Sequence, residues 1–232
     1  MGRYKLFTDG EANPKTALST QYGYASLILH LAPAKSSGYE VCPHASTGCR
    51  KACLNRVGYG RYLNCQQARI KRTKLWFENR EQFKKLAIRD IQAHLRHCKR
   101  VGLKPAIRLN GTSDIAWEQA WPELFTTFPS VQFYDYTKNP DRCMKSYRLP
   151  ANYHLVFSRT EDNQASVKRV MRSGKTSVAV VFRTEEMPKK YNSRPVVYGD
   201  AHDLQFLHPS KVVLGLKAKG RTAKYDKTGF VV

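Results

Sequence analysis

Four of the six cysteines in this 232-residue chain crowd into one short segment: Cys42, Cys49, Cys53 and Cys65. The first three lie in Cys42-Pro43-His44-Ala45-Ser46-Thr47-Gly48-Cys49-Arg50-Lys51-Ala52-Cys53. This reads as a loop, in which thiolates can converge without a helix forcing them apart. Zinc usually takes paired Cys-x-x-Cys knuckles with tetrahedral closure, and no such pair occurs here. Three unevenly spaced cysteines suit three corners of a [4Fe-4S] cluster, with the fourth iron left open or closed by Cys65. An iron–sulfur cluster is therefore the expected cofactor and zinc the less favoured metal. Arg50 and Lys51 would offset the negative charge of thiolates and sulfides. His44 reads equally as a ligand, a donor to a ligand or a solvated side chain. Cys98 falls on an apolar helical stripe and is expected in the core, and Cys143 is expected to be structural.

Chemistry of this kind needs a scaffold and a partner. The hydrophobic share of 41%, with 13 Tyr and 10 Phe, is enough to build one core without disulfides. No apolar run approaches a membrane span, and no signal-peptide core opens the chain. The expected setting is a reducing cytoplasm, where clustered cysteines mean metal or catalysis. Forty Lys+Arg against 18 Asp+Glu leave a net charge of +22, which is costly by self-repulsion unless a polyanion offsets it. Nucleic acid, DNA or RNA, is the expected partner.

The elements that must position these residues follow from periodicity. A single α/β domain over 1–232 is expected, with 1–22 an irregular lead-in and 42–65 the cysteine segment. The run from Tyr24 to Leu31 reads as a buried strand stopped by Pro33. A long helix is expected from about Gln66 to Arg100, its later half carrying Phe83, Ala87, Ile91, Leu95 and Cys98 on one face and Gly102 ending it. Beyond residue 105, expected strands are Pro105–Leu109, Val131–Tyr134, His154–Phe157, Ser177–Phe182, Val196–Tyr198 and Val212–Leu216. Expected helices between them are Ala116–Phe125, Asp141–Tyr147 and Asn163–Arg172. That alternation predicts a parallel sheet, as a partial or complete (βα) barrel or a doubly wound layer.

Polar side chains follow each apolar run at once. In parallel α/β folds the carboxyl ends of the strands open on one face, where ligands bind. Arg108, Asn110, Ser113 and Ser158 are accordingly assigned to cofactor binding. Asp114, Asp135, Lys138, Glu161, Asp200 and Lys217 are assigned acid, base and anion-binding roles. Helix capping is the competing account for Asp114 and for Asn163. Between Arg56 and Arg89, Arg61, Arg69, Lys71, Arg72 and Lys74 interleave with Tyr59 and Tyr62. Cations for phosphates beside aromatic faces for bases make a nucleic-acid surface. A second basic stretch holds Lys211, Lys217, Lys219, Arg221, Lys224 and Lys227. No Walker, Rossmann, kinase or nucleophile-elbow motif occurs.

Several blocks together carry a resemblance. They are Cys42–Cys53, Ala68–Phe83, Arg108–Glu118, Phe133–Lys138, Tyr153–Asn163, Gly199–Gly220 and Lys227–Val232. In this order they resemble the phage gene-product-88 family, over about Asn13 to Val232. The resemblance implies a phage-encoded protein working in the bacterial host cytoplasm. It also implies that Cys42, Cys49 and Cys53 are the family's cysteines, position 65 commonly being another residue. A more distant architectural likeness is to radical S-adenosylmethionine enzymes, which hold a three-cysteine cluster at the mouth of a partial parallel barrel. The chain departs from their cysteine spacing of four then three and lacks a glycine-rich strand end. Two functions follow. One is an iron–sulfur, radical-type enzyme acting on nucleic acid or a nucleotide, with S-adenosylmethionine as a further cofactor. The other is a non-enzymatic phage nucleic-acid-binding protein with a structural or redox-sensing iron–sulfur or zinc site.

Overall fold

The computed structural model describes residues 4–12, 14–184 and 186–232. Its strands are β1 (Phe7–Asp9), β2 (Tyr24–Leu29), β3 (Lys104–Arg108), β4 (Gln132–Thr137), β5 (Tyr153–Ser158), β6 (Val178–Phe182), β7 (Lys190–Tyr191), β8 (Arg194–Tyr198) and β9 (Val213–Lys217). They form one nine-stranded sheet in the order β1-β2-β3-β4-β5-β6-β9-β8-β7. From β2 to β8 every pairing is parallel; β1 and β7 are antiparallel edges. The protein is thus a mixed α/β fold with a mostly parallel sheet, and the sheet does not close.

The helices are α1 (Pro14–Ala17), α2 (Thr47–Lys51), α3 (Leu63–Glu78), α4 (Arg80–Val101), α5 (Trp117–Ala120), α6 (Glu123–Thr127), α7 (Gln164–Ser173) and α8 (Gly220–Lys224). Five expectations need correction. The cysteine segment, which reads as a loop, carries α2 with Cys49 on it. The helix expected over Ala116–Phe125 is two short helices, α5 and α6, because Trp121 leaves helical geometry (φ −156°, ψ 68°). The long helix is two helices, because Asn79 leaves helical geometry (φ −145°, ψ 73°) and its side chain accepts from Gln82 N–H to start α4. The lead-in is not wholly irregular: β1 pairs with β2, burying Leu6 and Phe7. Residues 1–3 and 13 of that lead-in lie outside the described residues. The helix expected over Asp141–Tyr147 is only a 3-10 turn at Asp141–Cys143. Elsewhere the strand expectations agree with the fold to within a few residues, and Gly102 ends α4 in the left-handed region (φ 70°). Among the described residues no helix is long and apolar enough to cross a membrane.

Successive side chains of a strand point to opposite faces, so the sheet has two distinct surfaces. One is covered by helices: Leu27, Leu29, Ile107, Phe133 and Leu155 pack on Trp76, Phe83, Ile91, Trp117 and Phe125. Within that core the Trp76 ring centroid lies 5.1 Å from Phe83 and 4.8 Å from Trp117. The buried Cys98, on the stripe of α4, and Cys143, beside Phe157 and Val170, behave as small apolar residues, as expected. The opposite face carries Ala106 and Tyr134 against Leu204 and Phe206, and Val156, Ala179 and Leu214 further along. At the carboxyl ends of the strands this second face turns polar, and there it meets the cysteine segment.

Candidate metal centre

The cysteine turn is held from several directions. Cys42 lies half-buried after Val41, whose carbonyl accepts from Asp114 N–H at 2.7 Å. Its Sγ accepts from Ala34 N–H at 3.4 Å and reaches the Thr112 carbonyl at 3.8 Å. Glu40 Oε1 accepts from the Cys42 N–H at 2.7 Å. Cys49 rides on α2, where Ser46 is the N-cap and accepts from Cys49 N–H at 3.1 Å. Glu161 clamps this helix start from the end of β5, accepting from Gly48 N–H at 2.6 Å and Ser46 Oγ at 2.7 Å. Position 48 must be glycine, since a Cβ there would meet Thr228 Oγ1 and lie 2.5 Å from Phe230 Cβ. The carboxyl-terminal segment is therefore part of the cysteine turn's support. Ala52 adds to this, packing against the cluster of Ala218, Ala223 and Val231.

Lys138, one residue beyond β4, joins the three thiols. Its ammonium hydrogen-bonds Cys49 and interacts electrostatically with Asp114 and Cys42. Burial opposes its charge, but those groups outweigh burial and raise its pKa. Cys42 and Cys53 interact with each other, as do Cys53 and Cys49. Burial pushes the Cys42 thiol up to about 12 and raises the Cys53 thiol. Without a further cation both remain protonated near neutrality. A thiol of that kind ionises on binding metal, because the metal replaces the proton.

As placed, no group of three or more His, Cys, Asp or Glu side chains among the described residues stands ready to hold a single ion. Cubane ligands bind different irons and stand farther apart than ligands of one ion. Backbone N–H donors to Cys42 (from Ala34) and Cys53 (from Asn55), half-burial and nearby cations are the donor environment such a cluster takes. Cys65, on the first turn of α3, interacts with Arg69, and Arg69 also interacts with Cys53, so an arginine links the fourth cysteine to the other three.

The assigned strand-end residues divide by face. Arg108, Lys138 and Ser158 belong to the cysteine-bearing side; Arg108 pairs with Asp203 at 3.0 Å and lies 5.0 Å over the Tyr136 ring. Asp135 does not join them. It is fully buried on the helix-covered face, accepting from Asn110 N–H at 2.6 Å, Asn110 Nδ2 at 3.1 Å and Tyr153 OH at 2.7 Å. Asn110 Oδ1 in turn accepts from Ser113 Oγ, Ile115 N–H and Trp117 Nε1. Asn110 and Ser113 therefore build the loop after β3, and no route to a cofactor runs through them. Asp114 is a bridge, accepting from Lys138 N–H at 2.8 Å and from Arg142 at 3.3 Å. Asp200 and Lys217 sit at the far edge, where Asp200 accepts from Lys217 N–H at 2.7 Å and pairs with Lys219 at 2.9 Å.

The basic–aromatic residues divide as well. Tyr59 is 75% and Tyr62 49% exposed, their rings 6.0 Å apart, with Arg61 5.6 Å over Tyr62. Lys71 and Lys74 are exposed. Arg69 and Arg72 are half-buried instead, Arg69 bonding Asn55 and Arg72 reaching the Lys5 carbonyl at 3.5 Å. A strand taken through to Leu31 hides His30 inside it; β2 ends at Leu29, and His30 directly follows.

The family model described as Gene product 88 matches residues 5–232. No curated protein and no solved structure matches the chain. With nearly its whole length matched by that one model, the chain belongs to the gene product 88 family.

Proposed function

We propose that Cys42, Cys49 and Cys53 hold one [4Fe-4S] cluster at the strand-end mouth of a partial parallel barrel. The observation that carries this reading is the convergence of the three thiols on Lys138 over the carboxyl ends of the strands. Such a cluster supplies one-electron chemistry, and an open iron supplies a place for a cofactor such as S-adenosylmethionine. The chain's own residues then have separate tasks. Glu161, Ser46 and Gly48 position Cys49; Asp114 positions Lys138 and the Val41–Cys42 turn. Arg108, Lys138 and Ser158 face the reaction space as ligand-binding groups. Zinc remains the alternative metal, with a structural role in a nucleic-acid-binding protein. The exposed Tyr59, Tyr62 and Arg61 beside the cysteine segment, with Lys71 and Lys74, support contact with a polyanion in a chain of charge +22.

The test is anaerobic purification with iron and sulfide analysis. Wild type should be brown with close to a full cubane. Cys42→Ser, Cys49→Ser and Cys53→Ser should each lose it, while Cys65→Ala, Cys98→Ser and Cys143→Ser keep it. Stoichiometric zinc without sulfide, in protein never exposed to air, overturns the cluster. Loss of iron in Cys65→Ala would give the site four protein ligands and remove the open iron.

A further inference from the structure

Beside the cysteine turn, where the ends of β2 and β3 meet α3, lie buried polar atoms without partners among the described residues. His30 Nδ1, Arg72 Nε and Arg108 Nε are all shut off from solvent, and none has a hydrogen-bond partner. Buried polar atoms are almost always paired, and each orphan costs about 1–3 kcal/mol, so several in one region call for a missing partner. These atoms belong to one neighbourhood. Arg108 is the register partner of Ile28, two residues before His30, and Ala32 N–H bonds Thr73 Oγ1 on the turn of α3 that carries Arg69 and Arg72. The charges of Arg69, Arg108 and Arg72 act on the His30 imidazole, opposed by Asp203. Burial and that positive surround hold His30 down to about 3, so the ring is neutral near pH 7. Burial is the larger cause; the guanidinium charges around the ring favour an anion beside it.

The backbone after β3 packs directly on His30. Gly111 lies against His30, where a Cβ would come within 2.5 Å of Nδ1. The next residue, Thr112, bonds the Leu31 carbonyl through Oγ1 at 2.6 Å and receives Cys42 Sγ at its own carbonyl. The arginines are held from outside: Arg69 by Asn55, Arg72 by the Lys5 carbonyl, and Arg108 by Asp203. Guanidiniums fixed in this way are preorganised donors for an oxyanion.

We propose that His30, Arg69, Arg72 and Arg108 form a binding site for the oxyanion group, carboxylate or phosphate, of a small ligand seated beside Cys42 and Cys53. Neutral His30 supplies a hydrogen bond, and the arginines supply charge-assisted ones. The site needs no metal and stands apart from the iron–sulfur reading.

The experiment is calorimetric titration of the purified full chain with inorganic phosphate, AMP and acetate in separate arms, at fixed ionic strength. Saturable binding is expected for at least one probe, with phosphate and AMP set against acetate to identify the source of the oxyanion. Arg69→Gln and His30→Ala should each weaken it about tenfold or more, the loss expected for one charge-assisted hydrogen bond. Lys85→Gln, a substitution on the exposed side of α4, should leave it unchanged. Cys49→Ser should also bind the probe, which keeps this result separate from any loss of iron. No saturable binding to any probe overturns the proposal. Equal weakening by Lys85→Gln does so too, by assigning the binding to diffuse surface charge. Circular dichroism of Arg69→Gln and His30→Ala confirms that a loss of binding is not a loss of fold.

Discussion

On the helix-covered face Asp135 meets three donors and Arg142 meets two carboxylates, Glu118 at 2.8 Å and Asp114 at 3.3 Å. On the opposite face His30 Nδ1 and Arg108 Nε have no hydrogen-bond partner among the described residues, although Arg108 pairs with Asp203 through its terminal nitrogen. Both groups of residues come from the same strand ends, and one step along a strand separates them, as Asp135 is separated from Tyr136. A buried polar network in which every member is paired rigidifies a fold. One left partly unpaired stores a cost that a ligand can remove. The difference teaches that polar residues at the ends of parallel strands are not one ring around one mouth. Side-chain alternation sorts them into a structural set and a set available for chemistry.

Four measurements would break or sharpen that contrast. The largest effect is expected from Arg142→Ala. Its side chain is buried, and removing it strands Asp114 and Glu118 as uncompensated charges, a loss of about 3–5 kcal/mol. Urea unfolding should show it, and a loss below about 1 kcal/mol would mean that the network is not the rigid side of the contrast.

Next comes the pH dependence set by Asp135. Burial raises its carboxyl from 3.8 to about 7, against the hydrogen bonds from Tyr153 and Asn110 and the charges of Arg108 and Arg142. The folded state thus keeps a proton that the unfolded chain gives up. This contribution is fully present below about pH 4 and is lost as pH rises through about 7, a change on the order of 4 kcal/mol. Asp135→Asn, which cannot ionise, should flatten the stability profile across that window. An unaltered profile would show that Asp135 is charged in the folded protein.

Gly48→Ala tests the cysteine-bearing side. The added methyl collides with Thr228 and Phe230, and the expected cost is about 1–3 kcal/mol. Because the collision falls on the start of α2, metal retention should suffer more than global stability. Equal iron content in variant and wild type would uncouple the carboxyl-terminal segment from Cys49. The smallest effect concerns the exposed turn. Tyr59→Ala should weaken single-stranded nucleic acid by about 1 kcal/mol and leave duplex binding nearly intact, since only unpaired bases stack. Lys71→Gln with Lys74→Gln should lower the slope of log affinity against log salt, whereas Arg72→Gln, already engaged inside the protein, should hardly change it. Equal effects from all three cations would place Arg72 on the surface with the others.

The residue order alone determined the α/β alternation, most strand positions, the core stripe of α4 and the apolar roles of Cys98 and Cys143, because each rests on local periodicity or composition. It suggested that Cys42, Cys49 and Cys53 belong together, but their segment reads as a loop, whereas Cys49 lies on α2. It could not show the break at Asn79, which depends on a single capping side chain inside an otherwise helical pattern. Nor could it show which strand-end residues share a face, because parity counts only from a known strand boundary and register. Tertiary structure alone decided that Asp135 and Asn110 tie loops together, and that Glu161 caps the helix carrying Cys49 across 112 intervening residues. The same holds for His30, which shares a positive neighbourhood with arginines from α3 and β3. Those relations are set by packing between segments distant in the chain, and no local pattern encodes them.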